Sequence, residues 1–307
     1  SENEVDSANA TYIIIAKNKK TEKKFYVKTF SDDFITLGRT KGKISPNEIL
    51  NYKLLEYAGF APKAYFLIAL GSSSGGYSSI YQGNYIMTED AAQEKGAEFI
   101  LAADLSLNKN EIMDVLTADQ ENFAIQISSA FLINDLLSLS DTFGENYNNY
   151  GVVINQEKSQ YSIQFIDHLP DKNKDLSQTI KALSLKKEAY SPRSQLMTKE
   201  GENKKKVSQN VSAFFVNVLA KNKTTIDRSK IKAAVNARVF DGGSFMGFDE
   251  ALSRAKKETN KLIQKYTVNF VDNAEDVLDE YCDKIAANIS AYQETEYSEP
   301  ERQTKSF

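Results

Sequence analysis

Asp141, the asparagines Asn146, Asn148 and Asn149, and Asp167 are the residues whose types and order most directly suggest chemistry. Carboxylate and amide oxygens are hard donors, suited to holding Mg²⁺ that is also bound by phosphates. Asp167 follows two apolar residues, Phe165 and Ile166, and one asparagine of the Asn146, Asn148 and Asn149 group would supply the amide oxygen. Asp141, ahead of them, would orient an acceptor group. Far upstream, Lys28 lies mid-strand in FYVKTF among Tyr26, Val27 and Phe30. A lysine there costs burial energy unless it meets an anion, and a phosphate is such an anion. Glu48 follows Pro46 at the start of the next helical pattern and could fix the Lys28 ammonium as an ion pair.

Each position also has a plain structural account. Alternation puts Lys28 opposite Val27, which suits an exposed strand face. Acids favour a first helical turn, which suffices for Glu48. Asparagine tolerates left-handed turns, and an acid often ends a strand. The order of all five positions along the chain carries the chemical reading.

Residues in that order need elements to bring them together. TYIIIAK (11–17) and KFYVKTF (24–30) read as strands joined by a polar turn. Residues 31–45 form a charged, glycine-containing loop. Pro46 opens a helix over 47–59, and Gly59 suits its C-terminus. AYFLIAL (64–70) and NYIMTED (84–90) read as strands around the flexible GSSSGGYSS (71–79). The first part is therefore β-β-α-β-β, and the pattern turns helical from about residue 92. Residues 119–139 form the strongest helix. A hairpin follows over 150–166, with strands around Val152–Ile154 and Tyr161–Ile166. Residues 170–210 are polar and basic and read as loop. Helices are expected over 210–221, 228–240, 248–266 and 273–292. The division is an N-terminal β-rich lobe over 11–90, a helical C-terminal lobe over 91–292 that embeds the 138–169 segment, and a disordered tail over 293–307.

Composition removes several classes of function. The 307 residues are 41% apolar, with 17 Phe and 16 Tyr but no Trp, enough for a substantial core. A formal net charge of −4 gives no reason to expect nucleic acid. One cysteine, Cys282, excludes a disulfide framework and a cysteine-based zinc site, and fits a reducing compartment. His168, the one histidine, would have to serve any Ser-His-Asp triad or histidine metal site. No run of 18 apolar residues exists, so no transmembrane helix is expected.

At these residues the sequence resembles the atypical branch of the protein-kinase-like superfamily, in particular HipA-type, phosphoinositide 3/4- and actin-fragmin-type kinases. PNEILNYKLLEYAGFAPKAYFL is similar to their helix-C stretch and return strand. NYIMTED resembles the hinge, which would set Met87, Thr88 and Glu89 near the adenine. DTFGENYNNYGVV resembles the catalytic loop, and FIDHL the metal-binding turn that replaces Asp-Phe-Gly. The resemblance covers residues 11 to 170 and implies an α+β, bilobal kinase-like fold. It further implies ATP with Mg²⁺ (or Mn²⁺) as cofactors, Lys28, Glu48 and Asp141 in catalysis, and Asp167 with Asn149 or Asn146 on the metal. Asn146 keeps the usual offset from Asp141, whereas Asn149 keeps the usual distance to the strand. No glycine-rich loop precedes Lys28. The glycines of LGRTKGK follow it, and Arg39, Lys41 and Lys43 could cover the phosphates instead.

The expected function is a Mg·ATP-dependent kinase with a protein Ser/Thr acceptor. A phosphoinositide kinase, a pseudokinase that docks a partner, and an AMP-transferring relative are the alternatives. Lys204, Lys205, Lys206, Arg228, Lys230, Lys232 and Arg238 could hold a polyanion such as an inositol phosphate or a phosphoinositide headgroup. The Asn/Lys-rich composition and the tail are reminiscent of bacterial effector kinases delivered into host cytosol, with an ordinary bacterial cytoplasmic kinase as the plainer expectation.

Overall fold

The stretch PNEILNYKLLEY forms helix α1 (Pro46–Tyr57), opened by a proline in its first turn and buried on nearly every side. Ile49, Leu50, Leu54 and Leu55 are fully buried, which stabilises the fold by about 1.5–3 kcal/mol per side chain. A helix buried all round lies inside a core, not on its surface. Gly59 follows with φ of 77°, the left-handed conformation that ends a helix without steric cost. Lys53 and Glu56 fix the exit. Lys53 Nζ donates to the Ala64 carbonyl at 2.6 Å, and the Glu56 carboxylate accepts from the Ala64 N–H at 3.0 Å.

The structure is a computed structural model. It describes residues 14–30, 43–68, 84–101, 149–155, 160–167, 169–170 and 247–294, with 122, 126, 129, 130, 132–134, 136, 137, 139, 140 and 157. Its architecture is α+β, with antiparallel sheets followed by a helical C-terminal part. Strands β1 (Ile14–Lys17), β2 (Lys24–Thr29), β3 (Ala64–Leu67) and β4 (Tyr85–Glu89) form a sheet in the order β1-β2-β4-β3. A second sheet has the order β5-β7-β8, from β5 (Ala97–Leu101), β7 (Tyr150–Asn155) and β8 (Gln160–Phe165). The short strands β6 (Leu139–Ser140) and β9 (Leu169–Pro170) pair with each other.

Strand β5 corrects the expectation of helix from residue 92 onward. AEFIL contains good helix formers, but its backbone pairs along β7 from Ala97↔Asn155 to Leu101↔Gly151. The hairpin expected over 150–166 is thus the core of a three-stranded sheet. Gly151 makes this possible. A Cβ there would sit 2.2 Å from the Ile100 carbonyl oxygen and 2.7 Å from the Phe99 ring.

Helices α2 (Phe248–Lys265) and α3 (Ala274–Glu294) pack on α1. The buried side of α2 is a stripe at helical spacing: Phe248, Ala251, Leu252, Ala255, Thr259 and Ile263. Helix α3 reaches Glu294, two residues into the segment expected to be disordered. Its Tyr281 hydroxyl joins three parts of the core, lying 3.1 Å from Asn51 Oδ1 on α1 and 2.9 Å from the Leu137 carbonyl. The helices expected over 210–221 and 228–240 lie outside the described residues, whereas positions 122, 126, 129, 130, 132–134 and 136 of the 119–139 prediction are helical. Among the described residues no helix is long and apolar enough to cross a membrane.

The two larger sheets are tied beside α1. The Phe165 N–H donates to the Phe60 carbonyl at 2.6 Å, and the two rings stack with centroids 6.2 Å apart. This contact brings the open end of the β7–β8 pair to the foot of α1 and sets the opening between the sheets.

Candidate functional site

Strand alternation sends Tyr26 and Lys28 to one face of β2. Their ladder partners on β4, Thr88 and Ile86, share that face. Together they form one wall of a cleft of about 550 Å³. Tyr52 of α1 and Pro62 add to it, as do Glu89 at the end of β4 and Asp90 and Ala91 after it. Residues Glu98, Phe99, Ile100 and Leu101 of β5 contribute from the second sheet. The open end of the β7–β8 pair supplies Asn149, Ile166 and Asp167.

Lys28 Nζ donates to Asp167 Oδ1 at 2.5 Å. The lysine side chain is 13% exposed and the aspartate 36%, so the pair is buried on the lysine side and open on the carboxylate side. Lys28 also lies over the Tyr52 ring, 5.3 Å from its centroid. Glu48 is buried one helical turn before Tyr52, close enough for its charge to act on Lys28. Burial alone would push the Lys28 pKa down. Tyr52, Asp167 and Glu48, with the hydrogen bond to Asp167, outweigh burial and hold it well above the ordinary lysine value. Tyr52 moves upward too. Burial is the main cause, Asp167 and Glu48 add to it, and Lys28 opposes it. The lysine is therefore a fixed cation throughout the physiological range.

The Asn149 carbonyl accepts the Ile166 N–H at 2.9 Å and the Asp167 N–H at 3.3 Å. These two bonds fix the backbone of both oxygen-bearing residues side by side. Among the described residues no three His, Cys, Asp or Glu side chains gather into a metal-binding group. A carboxylate and an amide alone suit Mg²⁺, which keeps waters and shares phosphate oxygens instead of entering an all-protein cage.

At the β4 end, Thr88 is nearly buried and Glu89 sits at the rim with its carboxylate engaged. Glu89 accepts from the Tyr65 hydroxyl at 2.7 Å and from Lys23 at 3.5 Å. Burial, and secondarily Asp90, raises the Tyr26 pKa. Met87 does not line the cleft. Alternation turns its side chain to the opposite face, where its ladder partners are Val27 and Tyr65.

Of the residues singled out from sequence, Lys28, Asn149 and Asp167 meet in the cleft with Glu48 behind the lysine, and Thr88 and Glu89 lie at its other end. The exposed-face account of Lys28 does not hold, because the strand buries most of it. Lys43, a candidate phosphate cover, instead donates to the Val268 carbonyl at 3.0 Å, in the connection between α2 and α3. Asp141, Asn146, Arg39 and Lys41 lie outside the described residues, as do Lys204, Lys205, Lys206, Arg228, Lys230, Lys232 and Arg238. The sequence reading missed Tyr52, whose signal was its place four residues after Glu48. It also missed the β5 wall, which exists only through pairing with β7.

No family model matches the chain, and no curated protein matches it. Among solved structures, the chain is similar to the Helicobacter pylori proinflammatory kinase CtkA at 13% identity and a TM-score of 0.34. The superposition covers 89% of this chain and 93% of that one, too loosely to establish a shared fold.

Proposed function

We propose that the chain is a Mg·ATP-dependent phosphotransferase of the atypical kinase type, with a protein Ser or Thr hydroxyl as acceptor. The convergence of Lys28, Asn149 and Asp167 on one cleft, with Glu48 behind the lysine, supports this reading. The cleft volume is within the few-hundred to thousand Å³ range of small-molecule sites. Lys28 would contact the nucleotide phosphates, and Glu48 would keep its ammonium in place. Asp167 and Asn149 would hold Mg²⁺, which when bound supplies charge neutralisation for the polyphosphate. Thr88, Glu89 and the β4 backbone at Met87 would border the base, and Asp141 would orient the acceptor hydroxyl.

The direct Lys28–Asp167 contact favours one other reading, a pseudokinase that binds a partner without turnover. In this arrangement the two residues proposed for phosphate and metal neutralise each other. Incubation with Mg²⁺ and γ-labelled ATP, with a panel of Ser/Thr-containing proteins, separates the two. The phosphotransferase reading expects label on protein, lost by at least about 100-fold in Asp167→Ala, since removing a charge-stabilising group costs that much or more. Label transferred from the α position instead would point to AMP transfer. Absence of both transfer and nucleotide binding would overturn the proposal.

A further inference from the structure

Strand β2 sends two residues into the cleft from one face, Lys28 and Tyr26. Two positions along a strand set them about 6.6 Å apart. Lys28 meets Asp167, whereas Tyr26 lies toward the β4 end, with Thr88 as its ladder partner and the Asp90 charge acting on it. Neighbouring rings are taken up by one another. Phe25 meets Tyr65 edge-on with centroids 6.3 Å apart, and Phe66 packs on Phe30 at 6.1 Å and on Tyr52 at 6.4 Å. Among the described residues Tyr26 stacks on no other ring, and it lines the cleft while 37% exposed. An open aromatic face inside a concave site is a surface on which a flat ring can stack. Phe99 and Leu101 add apolar surface to the same cleft from the second sheet.

Backbone donors at this end are already engaged. The Glu89 N–H donates to the Lys63 carbonyl at 2.9 Å, and the Asp90 N–H to the Lys24 carbonyl at 3.1 Å. The Ala92 N–H donates to Asp90 Oδ1 at 3.1 Å. These three groups are not free to read the edge of a base, so contact with its faces carries more of the affinity.

We propose that Tyr26 is the base-stacking platform of the cleft: a nucleotide whose phosphates meet Lys28 lays its base on the Tyr26 ring, with the ribose spanning the interval between the two side chains. This deepens the Mg·nucleotide reading of the cleft and rests on it. The ring makes the contact, so phenylalanine or tryptophan serves in its place and alanine does not. The platform thereby selects a nucleoside polyphosphate over a bare polyphosphate, which Lys28 alone would bind as well.

The test compares Mg·ATP with Mg·tripolyphosphate, which has the phosphates but no base, by calorimetry on the wild type, Tyr26→Phe and Tyr26→Ala. Tyr26→Phe should bind ATP within about twofold of wild type, and Tyr26→Ala should lose roughly 10- to 100-fold. Tripolyphosphate should change by less than about twofold in both variants, which also reports that the phosphate end is intact. A second variant reads the contact directly. The chain has no tryptophan, so Tyr26→Trp introduces a single indole at the platform. ATP should quench its emission to saturation, and tripolyphosphate should leave it unchanged. Wild-type ATP affinity in Tyr26→Ala, equal losses for the two ligands, or indole emission that bound ATP leaves unchanged overturns the inference while leaving the nucleotide site in place. A wild-type chain that binds neither ligand overturns the inference together with the proposed function.

Discussion

Asp167 is the residue on which the proposed chemistry turns, because it is both the open end of the Lys28 pair and a metal-type oxygen donor. Replacing it with asparagine keeps the shape and removes the charge. The expected outcome is loss of turnover with a native-like circular dichroism spectrum. Stability should fall by only about 1–2 kcal/mol in urea unfolding, less than for a fully buried pair, because the aspartate side is partly solvated. The pH response follows from groups whose folded pKa values lie above their unfolded ones. Burial pushes the Cys282 thiol up to about 11, and Lys28 is held above its ordinary value. Both then keep protons in the folded chain that the unfolded chain has released. Their contribution is complete below the unfolded values and is lost as pH rises through the folded ones. Urea midpoints should hold steady to about pH 8.5, near the unfolded thiol value, and decline progressively above it. The candidate site was partly legible at this scale. Lys28, Asn149 and Asp167 stood out because a lysine in an apolar strand and an acid ending one are chemically conspicuous. Tyr52 was not, since an aromatic on a leucine-rich helix is an ordinary core residue until Lys28 is seen above it.

Elements show the same division between local and non-local signals. Helix α1 and strands β1 to β4 follow from periodicity, Pro46 and Gly59, and their bounds differ from the expected ones by a few residues. Strand β5 was invisible because AEFIL mixes helix formers (Ala, Glu, Leu) with strand formers (Phe, Ile) and shows no alternation, so its local preference does not decide. Gly151, on a strand 50 residues later, decides it by letting the β5 backbone approach. Gly151→Ala should therefore cost about 1–3 kcal/mol or more in urea unfolding, as overpacking does, and should also weaken ligand binding through the β5 wall. Gly96→Ala is the matched control. Its Cβ meets only the end of the Glu157 side chain, so the cost is confined to its positive φ, about 1 kcal/mol, with binding unchanged.

At the scale of the whole molecule, α1 links the parts that make the cleft. It carries Glu48 and Tyr52 on one side and packs on α2 and α3 through its other faces. The Phe60–Phe165 contact then brings the β7–β8 end, with Asn149 and Asp167, to the connection that follows α1. Leu54→Ala, at a fully buried position of α1, should cost about 2–5 kcal/mol in urea unfolding and lower nucleotide affinity at the same time. A ligand held by both sheets must likewise stabilise the fold, by about 2.7 kcal/mol at a hundred times its dissociation constant. The most direct measurement is a calorimetric titration of ATP into the wild-type chain and Asp167→Ala, each with Mg²⁺ and with EDTA. A Mg·ATP site at Lys28, Asn149 and Asp167 requires binding that Mg²⁺ strengthens in the wild type and no longer strengthens in the variant. Wild-type protein that binds no nucleotide, or a variant whose Mg²⁺ dependence is unchanged, would contradict it.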